Sequence, residues 1–272
     1  MSSIDIIIPI KGRPELLQER SLPSLLAQTL KTFKVTIVED GSTQEEFQEI
    51  QDIAGKYRQK GLNIDVIQNG GAAGAAGARN FGFESTSADY VLWFDSDDIL
   101  LQDKLEVSVG LIESGSFDLA VTRAQHIVDS NLINEYWGEP VAPNRGAYEF
   151  HFPYQTMCAL YRRQFLRQSE IRWNESNNLN DDWEISNEVL LKTNNWVYSP
   201  NVTAHYFVPT SRSGSIGSTL TKSKIHAQQK ALKRIQHLVQ EKNLRLDLIS
   251  KIKVIRLLFD LKIKELRQQR PR

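Results

Sequence analysis

At 272 residues, 40% of them apolar, the chain is long enough for one large domain, or a domain and an appendage, around a buried core. Its single cysteine, Cys158, excludes an internal disulfide and, within the apolar run 157–161, reads as a small buried hydrophobe rather than a nucleophile. The overall charge is zero, but residues 1–221 hold 18 Lys and Arg against 29 Asp and Glu, and residues 222–272 hold 15 against 4, which predicts two segments with different jobs.

The first element is the apolar run Ile4 to Ile10, the pattern of a buried parallel strand. A polar loop, Lys11 to Pro14, leads into an amphipathic helix over Glu15 to Leu30, interrupted or restarted near Pro23. Phe33 to Val38 is a second strand, closed by the turn Glu39-Asp40-Gly41-Ser42-Thr43, which also offers an N-cap to a helix over Gln44 to Lys60. Ile64 to Gln68 is a third strand. It opens into a loop of Gly and Ala, residues 70–77, with a short helix from Ala78 and a fourth strand from Tyr90 to Phe94. Alternation of this kind predicts a parallel sheet with helices on both faces, and ligands then lie beyond the carboxyl ends of the strands.

After Asp98 the pattern loosens. A helix is expected over 103–113, a strand near Leu119 to Thr122, helices over 164–169 and 182–191, and an extended run from Trp196 to His205. The aromatic, Pro- and Gly-rich stretch from Ile127 to Tyr154 reads as an acceptor surface. From Ser223 onward a helical pattern runs nearly unbroken. No run approaches the roughly 20 apolar residues of a spanning helix. The start lacks a basic segment ahead of a long apolar stretch, so the expectation is a protein made and kept in the cytosol.

Three carboxylates in four residues, Asp95, Asp97 and Asp98, follow a buried strand. They repel one another unless a cation sits among them, and a hard divalent ion shared with a diphosphate meets that need. The plainer reading is an acidic turn that caps a helix. Asp40 ends a strand, where a carboxylate can accept from a nucleobase or a ribose, although Asp-Gly-Ser is also a common turn. The Gly and Ala loop lets backbone N–H groups approach a phosphate, and Arg79 can clamp one. The same loop imitates a dinucleotide fingerprint, but its spacing is Gly71-x-x-Gly74-x-x-Gly77 and two strand–helix units precede it, which weakens an oxidoreductase reading. Asp181-Asp182 opens a predicted helix, either as caps or as the base that takes a proton from an acceptor hydroxyl. His205 is a candidate metal ligand or a hydrogen-bonded core histidine. Arg212, among Ser211, Ser213 and Ser215, either closes over a diphosphate or belongs to a plain loop.

Taken in order, Ile7-Ile8-Pro9, Glu39-Asp40-Gly41-Ser42-Thr43, Ala78-Arg79-Asn80, Asp95-Ser96-Asp97-Asp98 and Asp181-Asp182 make the chain resemble the family 2 glycosyltransferases from Ile4 to about residue 218. The resemblance implies a GT-A-like, Rossmann-like α/β fold with a mostly parallel sheet flanked by helices and a C-terminal helical extension. It places a catalytic domain over 1–221, with a nucleotide-binding half 1–100 and an acceptor-binding half 101–221, ahead of a basic amphipathic tail 222–272. It also implies an inverting transfer from a nucleoside-diphosphate sugar, most often a UDP-sugar, to a saccharide or lipid-linked saccharide, with Mn²⁺ or Mg²⁺. Pro9, Glu39, Asp40, Arg79, Asp95 and Arg212 fall on the nucleotide-sugar side. Asp97 and Asp95 fall on the metal and Asp182 on the general base. Glu39 and Asp181 depart from the family's usual Asp and Glu but keep the charge.

Two other classes stay open: another nucleotide-dependent enzyme, such as a nucleotidyltransferase or a dinucleotide-dependent oxidoreductase, and a non-catalytic nucleotide-sugar-binding protein. In the tail, Leu248, Ile252, Ile255, Phe259, Ile263 and Leu266 form an apolar stripe beside Lys and Arg. The stripe fits packing on protein, or peripheral contact with anionic lipid on the inner face of the membrane. Nucleic acid is not an expected partner.

Overall fold

The computed structural model describes residues 3–140, 147–148, 153–177, 181–208, 222–246 and 251. Arg212, Asn180 and the stripe from Leu248 to Leu266 lie outside the described residues.

The first half follows the predicted order. Strand β1 (Ile4–Ile10) is buried throughout and pairs in parallel with β2 (Phe33–Glu39) on one side and β4 (Tyr90–Trp93) on the other; β3 (Ile64–Gln68) pairs in parallel with β2. Pro9 fits in β1 because the pairing with β4 ends at Ile7, so the missing N–H removes no bond of that ladder. The helical segment 14–26 contains a π turn, Leu17–Ser21, just ahead of Pro23. The proline ring clashes with the carbonyl four residues back, and the wider turn accommodates it without ending the helix. The helix Gln44–Gln59 starts with a full capping box, Thr43 and Glu46 each accepting from the other's backbone N–H.

The second half departs from the expectations. Among the strands not anticipated are β5 (Ile99–Leu100) and β9 (Ala159–Arg162). β6 runs Leu119–Val128, well past Thr122, and turns back into β7 (Asn131–Trp137), so the stretch expected to be irregular begins as a hairpin. β10 (Trp196–Phe207) lies parallel to β6. Among the described residues the main sheet has nine strands in the order β3-β2-β1-β4-β9-β6-β10-β5, with β7 on β6. The β9 strand is antiparallel to both of its neighbours, and β5 and β7 are antiparallel to theirs. The four parallel strands of the first half still put the ends at Ile10, Glu39, Gln68 and Trp93 on one edge.

The tail is the clearest correction. Helix Lys222–Glu241 does not run on: Asn243 takes φ 53°, and Leu244 N–H bonds back to the Val239 carbonyl. Asparagine tolerates this left-handed ending, which satisfies the last carbonyls. The chain then forms β11 (Arg245–Leu246), parallel to β8 (Ala147–Tyr148) in a small second sheet. No helix among the described residues is long and apolar enough to cross a membrane.

Candidate active site

The Gly and Ala loop is shorter than its composition implied, because the helix Ala75–Glu84 begins inside it, at a Gly74 with φ 108° that a side chain rarely adopts. The loop is anchored by Asp40: Oδ1 accepts from Asn69 Nδ2 at 2.7 Å and Oδ2 from Gly74 N–H at 2.7 Å. Asn69 also bridges the loop, donating to Ala72 and accepting from Gly71. Asn69 was missed in the sequence, where Asn-Gly-Gly reads only as a turn. The neighbouring Glu39 accepts from Ser42 N–H, and the Ser42 hydroxyl accepts from Gly12 N–H at 2.9 Å, joining the ends of β1 and β2. A Cβ on Gly77 would stand 1.8 Å from the Ala72 carbonyl oxygen. Gly77→Ala must therefore push the loop away. We expect a stability loss of about 1–3 kcal/mol, read by chemical denaturation.

Arg79 is the hub of the site. It is 5% exposed. Its Nη2 donates to Asp95 Oδ1 at 2.7 Å and its Nη1 to Asp181 Oδ2 at 2.9 Å, while the guanidinium lies over the Trp173 ring, 4.1 Å from the centroid. Buried Nε is left without a partner. One arginine thus joins a strand end from the first half to the start of the helix Asp181–Lys192 from the second. Next to it, Asn80 donates to the Trp173 carbonyl and to Glu175, and accepts from Trp173 N–H, each at 2.9 Å. Trp173 carried no motif; only its contacts reveal it.

The acidic run divides by environment. Asp98 is buried: Oδ1 accepts from Phe207 N–H at 3.0 Å and Oδ2 has no partner. Burial, then Asp97 and Asp95, push its carboxyl well up, so Asp98 belongs to the wall rather than the open site. Asp97 is partly exposed. Burial first and Asp95 second raise its carboxyl, and Arg13, whose Nη2 stands 3.7 Å away, opposes them. Arg20 donates to the Asp97 carbonyl at 2.9 Å and stacks on Phe207 at 3.8 Å. The cations that answer these carboxylates are therefore arginines, two of which, Arg13 and Arg20, sequence reasoning passed over as loop and helix surface.

Asp182 keeps part of its surface open, and its Oδ1 accepts from Trp183 N–H at 2.8 Å. Loss of water around it, then the charge of Asp181, raise its carboxyl to about 7, against the pull of the Trp183 N–H and Arg79. A base poised near neutrality is suited to proton transfer. Tyr206 faces this region: burial first, then Asp98, Asp182, Asp95 and Asp97, raise its phenol. His205 pairs with Ile99 beside the acidic run, and burial lowers its pKa, favouring the neutral form that a metal ligand needs.

An ion that arrives with a diphosphate needs one or two carboxylates free to meet it. Asp97 fits: its side chain is 37% exposed and its contact with Arg13 is long. Asp95 is tied to Arg79 through Oδ1. Among the described residues no three His, Cys, Asp or Glu side chains are grouped to hold a metal by themselves. The donor set thus suits an ion completed by phosphates, not a protein cage.

The mixed sheet, with an arginine-bridged set of carboxylates at its parallel strand ends, has the GT-A-type fold of solved glycosyltransferase structures. The chain aligns with residues 1–349 of TarS from S. aureus in complex with UDP-GlcNAc (TM-score 0.70, 19% identity, covering 96% of this chain and 73% of that one). It aligns also with the mannosyltransferase PcManGT from Pyrobaculum calidifontis in complex with GDP-Man and Mn²⁺ (TM-score 0.61, 13% identity, 99% and 88%). The family model for glycosyl transferase family 2 matches residues 5–170, and the chain belongs to that family. Among relatives, the amylovoran biosynthesis glycosyltransferase AmsB of Erwinia amylovora is 28% identical over 192 residues, 67% of this chain and 62% of that protein. An uncharacterized glycosyltransferase of Rickettsia felis is 32% identical over 126 residues, 46% of this chain and 20% of the other. The chain thus spans under two thirds of the length of these relatives. Membership in the family supersedes the oxidoreductase and nucleotidyltransferase alternatives.

Proposed function

We propose that the chain transfers a sugar from a nucleoside-diphosphate sugar, most simply a UDP-sugar, to a saccharide hydroxyl with inversion, in polysaccharide or glycolipid synthesis. The observation that carries this reading is the bridge through Arg79, which brings Asp95 from the nucleotide side and Asp181-Asp182 from the acceptor side to one place. The nucleotide sugars bound by TarS and PcManGT support the donor class.

In this reading Pro9, Glu39 and Asp40 border the nucleotide, with Asp40 also holding the loop. Arg79 fixes Asp95 near the ribose. Asp182 takes the proton from the acceptor oxygen as that oxygen attacks the anomeric carbon. The displacement breaks the bond to the diphosphate in one step, hence inversion. Asp97 and Asp95, with His205 as a further candidate, would hold Mn²⁺ or Mg²⁺, which when bound stabilises the charge of the departing diphosphate. Arg212, outside the described residues, is proposed on the diphosphate. A lipid-linked acceptor would suit a tail resting on anionic lipid.

Calorimetry with UDP, GDP, dTDP and NAD, each with and without Mn²⁺, tests this. Mn²⁺-dependent binding of one nucleoside diphosphate is expected; binding of NAD without metal would sink the reading. EDTA should stop turnover and added Mn²⁺ restore it. Asp97→Ala should lower kcat by about 100-fold or more and remove the Mn²⁺ dependence of nucleotide binding; unchanged metal dependence would release Asp97 from that role.

A further inference from the structure

The helix Lys222–Glu241 lies against the helix Asp181–Lys192. On the latter, Glu184 and Glu188 stand one turn apart and are 1% and 2% exposed. Two buried carboxylates on one face are costly unless donors and cations meet them. Glu184 accepts from Asn174 Nδ2 at 3.0 and 3.1 Å, from Asn177 Nδ2 at 2.8 Å and from Arg234 Nη1 at 3.0 Å. Glu188 accepts from Arg234 Nη2 and pairs with Lys192 at 3.1 Å. Arg234, from the basic tail, therefore spreads its fork over a full turn of the helix that opens with Asp181 and Asp182. Around it Ile225, Leu232, Ile235 and Val239 make a small core with Leu191, and Trp183 packs against that core.

The path to the site is short. Glu184 is two residues after Asp182. Asn174 follows Trp173, whose ring lies under Arg79 and whose backbone Asn80 holds. Glu184 is thus the point where the tail helix, the loop 173–177 and the first turn of the catalytic helix are tied together.

We propose that Arg234 is a positioning residue: by holding Glu184 and Glu188 it sets the first turn of the helix Asp181–Lys192, and with it the places of Asp181 and Asp182 around Arg79. It touches no substrate. The inference rests on the assignment of Asp182 as the base. It also makes the first helix of the basic tail part of the catalytic unit.

The test uses the full chain with Arg234→Met, which keeps an apolar stem and removes the fork, and Arg234→Lys, which keeps the charge on one donor group. The first readout is kcat against donor KM in nucleoside diphosphate release, with UDP-GlcNAc and Mn²⁺ as first probe. The second needs no substrate: the Asp182 titration in ¹³C-carboxylate spectra of Asp-labelled protein, assigned with Asp182→Asn. The charged and titratable groups facing Asp182 are Asp181, Arg79, Asp95 and Tyr206.

Arg234→Met is expected to lower kcat about 10- to 100-fold, since a misplacement of about 1 Å has that effect, with donor KM changed little. The Asp182 midpoint should fall from about 7 as water enters, and Arg234→Lys should recover part of both. A lower melting temperature with wild-type kcat and an unmoved midpoint would make Arg234 a stability staple and overturn the inference. Where the Met variant does not fold, the Lys variant carries the same comparison. If Asp182→Asn turns over normally, the base assignment fails and the inference with it. An inactive Asp182→Asn beside an unaffected Arg234→Met removes the inference alone.

Discussion

Asp182→Asn is expected to lower kcat by about 10²- to 10⁴-fold, the usual contribution of a positioned general base, while donor KM changes little. The amide has nearly the same shape but cannot take the proton. In the wild type, kcat/KM, which reports the free enzyme, should rise with pH through a midpoint near 7 and level off above it, because the base works only when ionised. The variant's residual rate should lack that limb. The same substitution should stabilise the fold at neutral pH. Folding raises the Asp182 carboxyl from its ordinary 3.8 to about 7, so between these values the folded chain keeps a proton that the unfolded chain has released. Stability linked to this group is thus greatest at acidic pH and declines as pH rises through that window. The melting temperature of Asp182→Asn relative to wild type should climb from pH 4 to pH 8. A normal kcat and a flat difference in melting temperature would remove Asp182 from the role.

Arg79→Ala should be the most disruptive single change in the site. It leaves Asp95 and Asp181 without the cation that joins them, in surroundings where their side chains are only 27% and 21% exposed. Breaking such a pair costs about 3 kcal/mol or more, and the Trp173 ring loses the guanidinium that lies over it. Turnover should fall on the order of 1,000-fold. Arg79→Lys should recover little, because one ammonium cannot reproduce a fork that bridges two carboxylates. Arg79 also pulls the Asp182 carboxyl down, so its loss should move the acidic limb of the rate profile upward. That direction is opposite to the shift expected for Arg234→Met, so the two variants separate charge from positioning. Urea denaturation and a pH–rate profile are sufficient to check both; an Arg79→Lys enzyme with wild-type turnover would show that the bridge is dispensable.

The first hundred residues were legible because each strand there is a short apolar run and each loop is marked by Gly, Pro or Asp. Local pattern and tertiary environment agree in β1, β2, β3 and β4, so the parallel edge could be placed without coordinates. The second half was less legible because its strands pair across long separations. β9 contributes only Ala159–Arg162 and is defined by lying between β4 and β6, not by a pattern of its own. β5 is two residues long and exists because β10 pairs with it.

By itself the sequence determined the α/β class, the family and the candidate carboxylates, since these depend on periodicity and on ordered local motifs. Only the tertiary structure decided which charges meet. Asp95 and Asp181 are 86 positions apart, and both depend on Arg79. Asp98, grouped with Asp95 and Asp97 in one acidic run in the sequence, is turned to the Phe207 backbone, and Arg234 reaches into the helix of Asp182 from the tail. Charge pairing weakens with distance and strengthens with burial, and neither distance nor burial is visible until the chain has folded.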